Sequence, residues 1–99
     1  MSSPAGGTPV PSLEMMQGLG ARITRRRQEI GMSQEELAAL SGMHRNQVSN
    51  IERARGNRGT PSNPQLGTLL AVAATLGVAP VELLPELGIV PAAPTRGRT

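Results

Sequence analysis

A chain of 99 residues without Phe, Trp or Tyr has room for one small core of Leu, Ile, Val, Ala and Met, which favours packed helices over a sheet. Without cysteine, and with a single histidine, it lacks the residues for disulfides and for common zinc sites, so we expect no metal and no cofactor. No apolar run approaches the ~20 residues of a membrane helix and the N-terminus lacks a secretion signal, so we expect a cytoplasmic protein with no membrane contact.

The positive charge is concentrated in the middle of the chain. Between Leu19 and Thr60 there are eight arginines and four glutamates, a net charge of +4, whereas the whole chain carries +3. The basic residues therefore surround the central helices described below.

The chain begins with a tail and a first helix. Residues 1–12 are rich in Ser, Pro, Gly and Thr and are predicted to be flexible. A helix is predicted over Leu13–Ile30 and ends at Gly31. The Met15 and Met16 pair either covers the core or meets a partner chain. The inner side of this helix is predicted to carry Leu19, Ile23 and Ile30.

The second helix has a start signal and a stop signal. Ser33 and Glu36 form a capping box, because the side chain of each can satisfy a free amide at a helix start. The helix therefore begins near Gln34. It ends at Gly42, since glycine takes positive φ without steric cost. Its inward residues are predicted to be Leu37, Ala38 and either Leu40 or Ser41.

The third helix begins around His44 and has one apolar and one polar side. Val48 and Ile51, three residues apart, form a narrow stripe that packs inward. The outward side chains are predicted to be His44, Arg45, Asn46, Gln47 and Asn50. Two short helices joined at a glycine, the second with a polar outer face, are typical of a helix-turn-helix that reads duplex DNA.

Turn residues dominate the segment after Glu52, which is predicted to be an exposed loop. Pro64 is predicted to lie just inside a fourth helix, with Asn63 or Ser62 as its cap. This helix ends at Gly77. Its apolar row is predicted to be Leu66, Leu69, Leu70, Ala73 and Leu76.

A last short helix is expected after Pro80, over Val81–Leu84 or Val81–Leu87. Residues 13–88 are thus predicted to form one domain, and residues 89–99 a second flexible tail.

Several groups of residues along the chain have a combined spacing that few unrelated sequences share. They are Leu19-Gly20-x-x-Ile23, Arg27, Gly31-x-Ser33-Gln34-x-x-Leu37-Ala38, Gly42, Val48-Ser49-x-Ile51-Glu52, Pro64-x-Leu66-x-x-Leu69 and Leu76-Gly77-Val78. Together they resemble the lambda-repressor-like, or XRE-type, helix-turn-helix regulators over roughly residues 19–84. The resemblance implies an all-α, compact bundle of five helices. It also implies that the helix after the turn lies in the major groove, where all four base pairs are distinguishable.

The resemblance assigns roles to individual residues. The family's base-reading positions correspond to His44, Arg45, Asn46 and Asn50, with Gln47 and Ser49 at the margins. Arg45 would bond guanine bidentately, and Asn46 or Asn50 would do the same with adenine. His44 is equally well explained as an ordinary surface residue.

Three further matched positions concern phosphate and the fold. Gln34 would anchor a phosphate beside the second helix's start, where free amides and the dipole favour an anion. Arg27 and Glu52 would form a partly buried ion pair between the first and third helices, which serves the fold and not recognition. Gly42 is the structural turn residue.

The sequence departs from the family pattern in two places. Pro64 lies twelve residues after Glu52, about six more than is usual, so the loop is longer and carries Arg55 and Arg58. We predict that this loop reaches the DNA backbone or extends a subunit contact. The second departure is Arg26, where the family often has an apolar residue.

Two charged groups have simpler explanations than function. Arg25–Arg27 are better explained as a solvated face with one structural arginine than as three DNA contacts. Glu35 and Glu36 point about 100° apart on a helix, and no nucleophile accompanies them. We therefore expect no catalytic site and no enzymatic activity.

The sequence predicts a small bacterial or phage-type transcriptional regulator that binds double-stranded DNA sequence-specifically. It would act as a repressor, as a homodimer on a palindromic operator with half-sites ~34–36 Å apart. The alternatives are a restriction-modification controller protein and an antitoxin that represses its own operon. An alternative of another class is a protein-interaction adaptor that retains the bundle, and salt-sensitive duplex binding would distinguish it.

Overall fold

The computed structural model describes residues 12–55 and 64–88, and these two ranges contain helices and no strand. The helices are α1 (Leu13–Glu29), α2 (Gln34–Ser41), α3 (Arg45–Glu52), α4 (Leu66–Leu76) and α5 (Pro80–Leu83), and one turn of 3-10 helix follows at Pro85–Gly88. The expected all-α bundle of five helices is confirmed. The predicted tails, apart from Ser12, and the loop residues 56–63, including Arg58, lie outside the described residues.

The first helix is bounded by two local signals. Ser12, expected in the tail, is the N-cap of α1, and its Oγ accepts a hydrogen bond from Met15 N at 3.1 Å. The helix ends one residue earlier than predicted, and Gly31 follows with φ of 69°. Ile30 was predicted to face the core, but it is exposed. Its φ of −98° and ψ of 8° take it off the helix, so its side chain no longer continues the inner row.

The second helix begins and ends as predicted. Ser33 and Glu36 form the capping box, and Gly42 caps the other end with φ of 72°. Of the two inward candidates left open, Leu40 is 67% exposed. Ser41 is half-buried, and its Oγ donates to Thr75 Oγ1 on α4 at 3.1 Å.

The start and the inner face of α4 differ from the prediction. Pro64 precedes the helix, and neither Asn63 nor Ser62 is its cap. Gln65 is the N-cap, because its extended φ of −67° and ψ of 156° delay the first helical residue until Leu66. The buried row is Leu69, Val72, Ala73 and Leu76, whereas Leu66 and Leu70, which were predicted to belong to it, are 66% and 46% exposed. A helix that is apolar on most sides offers several rows of similar spacing, and packing selects one of them.

The last helix is the shorter of the two expected forms. It starts at Pro80, and its C-cap is Leu84, while Leu87 lies in the 3-10 turn and is exposed. Helix α4 ends at Gly77 as predicted, with φ of 73°. None of the helices in the described ranges is both long and apolar enough to cross a bilayer.

One core joins all five helices. Its largest fully buried side chains are Leu19, Ile23, Leu37, Val48, Val72, Leu76 and Leu83. Of the methionine pair at the start of α1, Met16 is in the core and Met15 packs against it.

Helix α3 packs on α1 and α2, α4 packs on α2 and α1, and α5 packs on α1 and α4. At the α1–α3 contact, a Cβ built on Gly20 would lie 2.5 Å from the carbonyl oxygens of both Ile51 and Glu52. Only glycine lets the two backbones approach this closely. The outer side of α3 is left uncovered by the described helices.

Candidate nucleic-acid interface

The uncovered side of α3 presents a row of polar side chains. The exposed members are His44, Arg45, Asn46, Gln47 and Asn50, and Ser49 is half-buried beside them. On the opposite side, Val48 is 1% and Ile51 is 7% exposed. The helix is thus anchored by its apolar side, and it offers amide and guanidinium groups that can pair with the edges of bases in a major groove.

The first turn of α3 is held by a contact that the sequence analysis missed. His44 is the N-cap residue, but its imidazole makes no capping hydrogen bond. Instead, its backbone N–H donates to Gln47 Oε1 at 2.8 Å. The signal was present, because a glutamine three residues after the cap is half of a capping box. The amide nitrogen of Gln47 keeps its N–H groups for another acceptor.

The start of α2 lies next to the end of α3. Ser33 N donates to Glu36 Oε1 at 2.8 Å, and Glu36 N donates to Ser33 Oγ at 3.0 Å. The side chain of Gln34 turns inward, and its Nε2 donates to Glu52 Oε1 at 2.9 Å. The groups at this helix start that remain for a phosphate are therefore the backbone N–H groups of Gln34 and Glu35, which have no partner within the helix, and the second N–H of the Gln34 amide.

The predicted ion pair fixes α3 against α1. Arg27 Nε lies 2.8 Å and Arg27 Nη2 lies 3.1 Å from the two carboxylate oxygens of Glu52, and Arg27 Nη1 donates to Met32 O at 2.9 Å. The Glu52 side chain is 5% exposed. Because this carboxylate contacts α1 and α2 from the last residue of α3, it sets the angle at which the polar row is presented.

Burial alone would raise the pKa of Glu52. Hydrogen bonds from Arg27, Gln34 and Thr24, and the charge of Arg27, outweigh burial and hold the pKa below its ordinary value. The hydrogen bond to Glu52 likewise raises the pKa of Arg27, against the effect of desolvation. Both groups therefore stay charged at neutral pH.

The other arginines divide into structural and exposed groups. Arg26, expected on a solvated face, is a second structural arginine, because its Nε donates to Leu76 O at 2.9 Å. Arg25 is exposed, with its Nε 3.6 Å from Glu29. After α3, Arg53 and Arg55 are exposed as well. Arg58 lies outside the described residues, so the predicted role of the long loop stays a prediction.

Metal ligands are not grouped in the described part of the chain. Within residues 12–55 and 64–88, no three His, Asp or Glu side chains stand close enough to hold an ion.

Comparison with known proteins places the chain among regulators. Residues 23–83 match the sequence model of the helix-turn-helix family. An uncharacterized HTH-type transcriptional regulator of Sinorhizobium fredii, y4dJ, is 38% identical over 72 residues, which are 73% of this chain and 86% of that protein.

Solved structures agree with this placement. The restriction-modification controller protein C.AhdI from Aeromonas hydrophila is 36% identical, with a TM-score of 0.60 over 70% of this chain and 96% of that one. SinR, described as the master regulator for biofilm formation and solved in complex with DNA, is 37% identical, with a TM-score of 0.56 over 66% of this chain and 95% of that one. The chain therefore belongs to the lambda-repressor-like, XRE-type helix-turn-helix family of DNA-binding transcriptional regulators, and it is not an enzyme.

Proposed function

We propose that the chain reads a specific duplex sequence with the outer side of α3. Arg45 bonds guanine bidentately, Asn46 and Asn50 bond adenine, and His44 contacts a base or its phosphate at the helix start. The observation that carries this proposal is the row of exposed polar side chains on a helix whose other side is anchored by Val48 and Ile51.

Phosphate contacts on both sides of the polar row of α3 would fix the position and orientation of this helix on the duplex. The proposed contacts are the backbone N–H of Gln34, the free amide N–H groups of Gln47, the hydroxyl of Ser49, and the exposed Arg55 with Arg58 in the loop. These groups add affinity for any duplex but carry no sequence information directly.

One eight-residue helix reads only a few base pairs. We infer that the chain binds as a homodimer to a palindromic operator with half-sites about 34–36 Å apart, and that it acts as a repressor in the cytoplasm. The likeness to C.AhdI favours one specific variant of this role, that of a restriction-modification controller protein. An endonuclease gene beside the chain's own gene would support that variant.

Arg45→Ala and Asn46→Ala are each expected to reduce discrimination between the selected operator and a random duplex by about five- to 150-fold. The reason is that each loses a bidentate base contact worth about 1–3 kcal/mol. The measurement is the ratio of dissociation constants at one salt concentration, after the operator has been selected from random sequence with the purified protein.

Arg25→Ala is the matched control for Arg45→Ala, because it also removes one arginine charge, from an exposed position on α1. It should leave the discrimination ratio unchanged. If the Arg45 and Asn46 variants keep the wild-type ratio while remaining folded, the residue assignment is wrong. If the wild type shows no salt-sensitive binding to any duplex, the chain is a protein-interaction adaptor and not a reader of DNA.

A double substitution, Arg55→Ala with Arg58→Ala, is expected to flatten the salt dependence of operator binding. The log–log slope should fall by roughly 0.9 for each lost phosphate contact, so by roughly 1.8 if both arginines touch the backbone. Arg96→Ala with Arg98→Ala removes the same charge from the C-terminal segment and serves as the control. Equal slopes for the two double variants would show that the long loop does not reach DNA.

A further inference from the structure

A cleft of about 300 Å³ opens on the side of α1 that faces away from α3. On α1 it is lined by Arg22, Arg25, Arg26 and Glu29, and on the other side by Val78, Glu82 and Leu83. Gly20, Thr24 and Arg27 lie on the side of α1 that contacts α3. The cleft is thus separated from the polar row of α3 by the width of α1.

Two of the three arginines are held in place by the ends of other helices. Arg22 Nη1 donates to Leu83 O at 3.3 Å, and Arg26 Nε donates to Leu76 O at 2.9 Å. Each bond uses one of the several N–H groups of its guanidinium. The side chain of Arg25, between them in sequence, is 82% exposed. Three guanidinium groups are therefore available at one cleft, and two of them are already ordered.

The carboxylates of the cleft neutralise this charge incompletely. Glu29 lies 3.6 Å from Arg25 and 3.5 Å from Arg26, longer than the ≈ 2.7–2.9 Å of a strong charge-assisted hydrogen bond. Glu82 Oε2 is occupied by the backbone N–H of Ala79 at 2.8 Å, as the cap of α5. Three arginines face two glutamates, which leaves the lining of the cleft with a formal charge of +1, so the cleft favours an added anion.

We propose that this cleft binds a small organic anion through a carboxylate or phosphate group. Guanidinium groups match the geometry of both groups, and the half-buried Val78 supplies apolar surface for a carbon skeleton. The volume is at the lower end of the range of small-molecule sites. The inference does not depend on the proposed reading of DNA, because the cleft shares no side chain with α3.

The test uses citrate and inorganic pyrophosphate as probes, titrated into the full chain at constant ionic strength by calorimetry and by amide NMR. Saturable binding is expected, with shifts confined to the residues that line the cleft. Arg25→Gln should weaken binding about three- to tenfold. Glu29→Gln should strengthen it, because it frees the groups of Arg25 and Arg26 that face the cleft.

Two control variants make the same charge changes outside the cleft. Arg53→Gln matches the arginine variant and Glu35→Gln matches the glutamate variant, and both positions are exposed. Both controls should bind the probes as the wild type does. Binding that does not saturate, equal effects of cleft and control variants, or displacement of the probe by an unrelated DNA duplex would each overturn the proposal. In the last case the cleft would be a DNA-backbone contact.

Discussion

Gly20→Ala is expected to destabilise the fold by about 3 kcal/mol or more. The added methyl group would lie 2.5 Å from the carbonyl oxygens of Ile51 and Glu52, which are backbone atoms that cannot rotate away. Relief would require α1 and α3 to separate, which would loosen the core between them. For a domain of this size, the loss corresponds to a fall in Tm of roughly 15 °C. Because the chain has no Trp or Tyr, far-UV circular dichroism is the suitable readout.

Gly67→Ala is the matched control within the same chain. Gly67 also lies in a helix, but a Cβ built on it has no neighbour within 4 Å. Alanine there removes the entropic penalty of glycine, so a stabilisation of up to about 1 kcal/mol is expected. Stability changes of opposite sign at Gly20 and Gly67 would distinguish the steric clash of the added methyl group from the effect of helix propensity. Stabilisation at both positions would contradict the close α1–α3 contact.

Glu52→Gln is expected to reduce stability at pH 7 by about 3–5 kcal/mol, because it leaves the charge of Arg27 without its partner in a buried site. Glu29→Gln is the control. It breaks two exposed ion pairs of 3.5 and 3.6 Å and should change stability by less than about 1 kcal/mol. Both values are measurable from urea unfolding followed by circular dichroism.

The difference between the wild type and Glu52→Gln should also depend on pH. The pKa of Glu52 is lower in the folded protein than its ordinary value of 4.5. Such a group contributes its stability above the unfolded-state pKa, and the contribution is lost as the pH falls through the folded-state pKa. The difference should therefore be full near neutral pH and shrink below about pH 4.5. A difference that is constant down to pH 3 would show that the carboxylate is not the source of the stability.

The residues that stabilise α3 and the residues proposed to read DNA can be distinguished by measuring stability and DNA discrimination together. Gly20 and Glu52 act on the polar row of α3 only through the fold, because they fix the end of α3 against α1. Arg45→Ala and Asn46→Ala change exposed side chains and should leave stability nearly unaltered. A loss of DNA discrimination without a loss of stability is thus the signature of a reading residue.

Helix boundaries were the most predictable part of the fold. The capping box at Ser33 and the left-handed glycines at 31, 42 and 77 act within a few residues of themselves, so the helix ends at these points could be inferred locally. The start of α4 was less predictable, because the local sequence allows a helix to begin at any of Pro64, Gln65 and Leu66. The inner row of α4 was ambiguous since leucines stand on several of its sides.

The sequence by itself determined the helical architecture and the polar outer side of α3, because these follow from hydrogen bonds and apolar spacings within three or four residues. It also indicated the family, through the resemblance of its motifs to those of helix-turn-helix regulators. The tertiary structure decided which partners the long polar side chains take. Gln34 meets Glu52, Arg26 meets Leu76 and Arg22 meets Leu83 across 18, 50 and 61 residues of sequence. The physical reason is that a guanidinium or an amide has many acceptors open to it, and only the packing of helices distant in the chain brings one of them within reach.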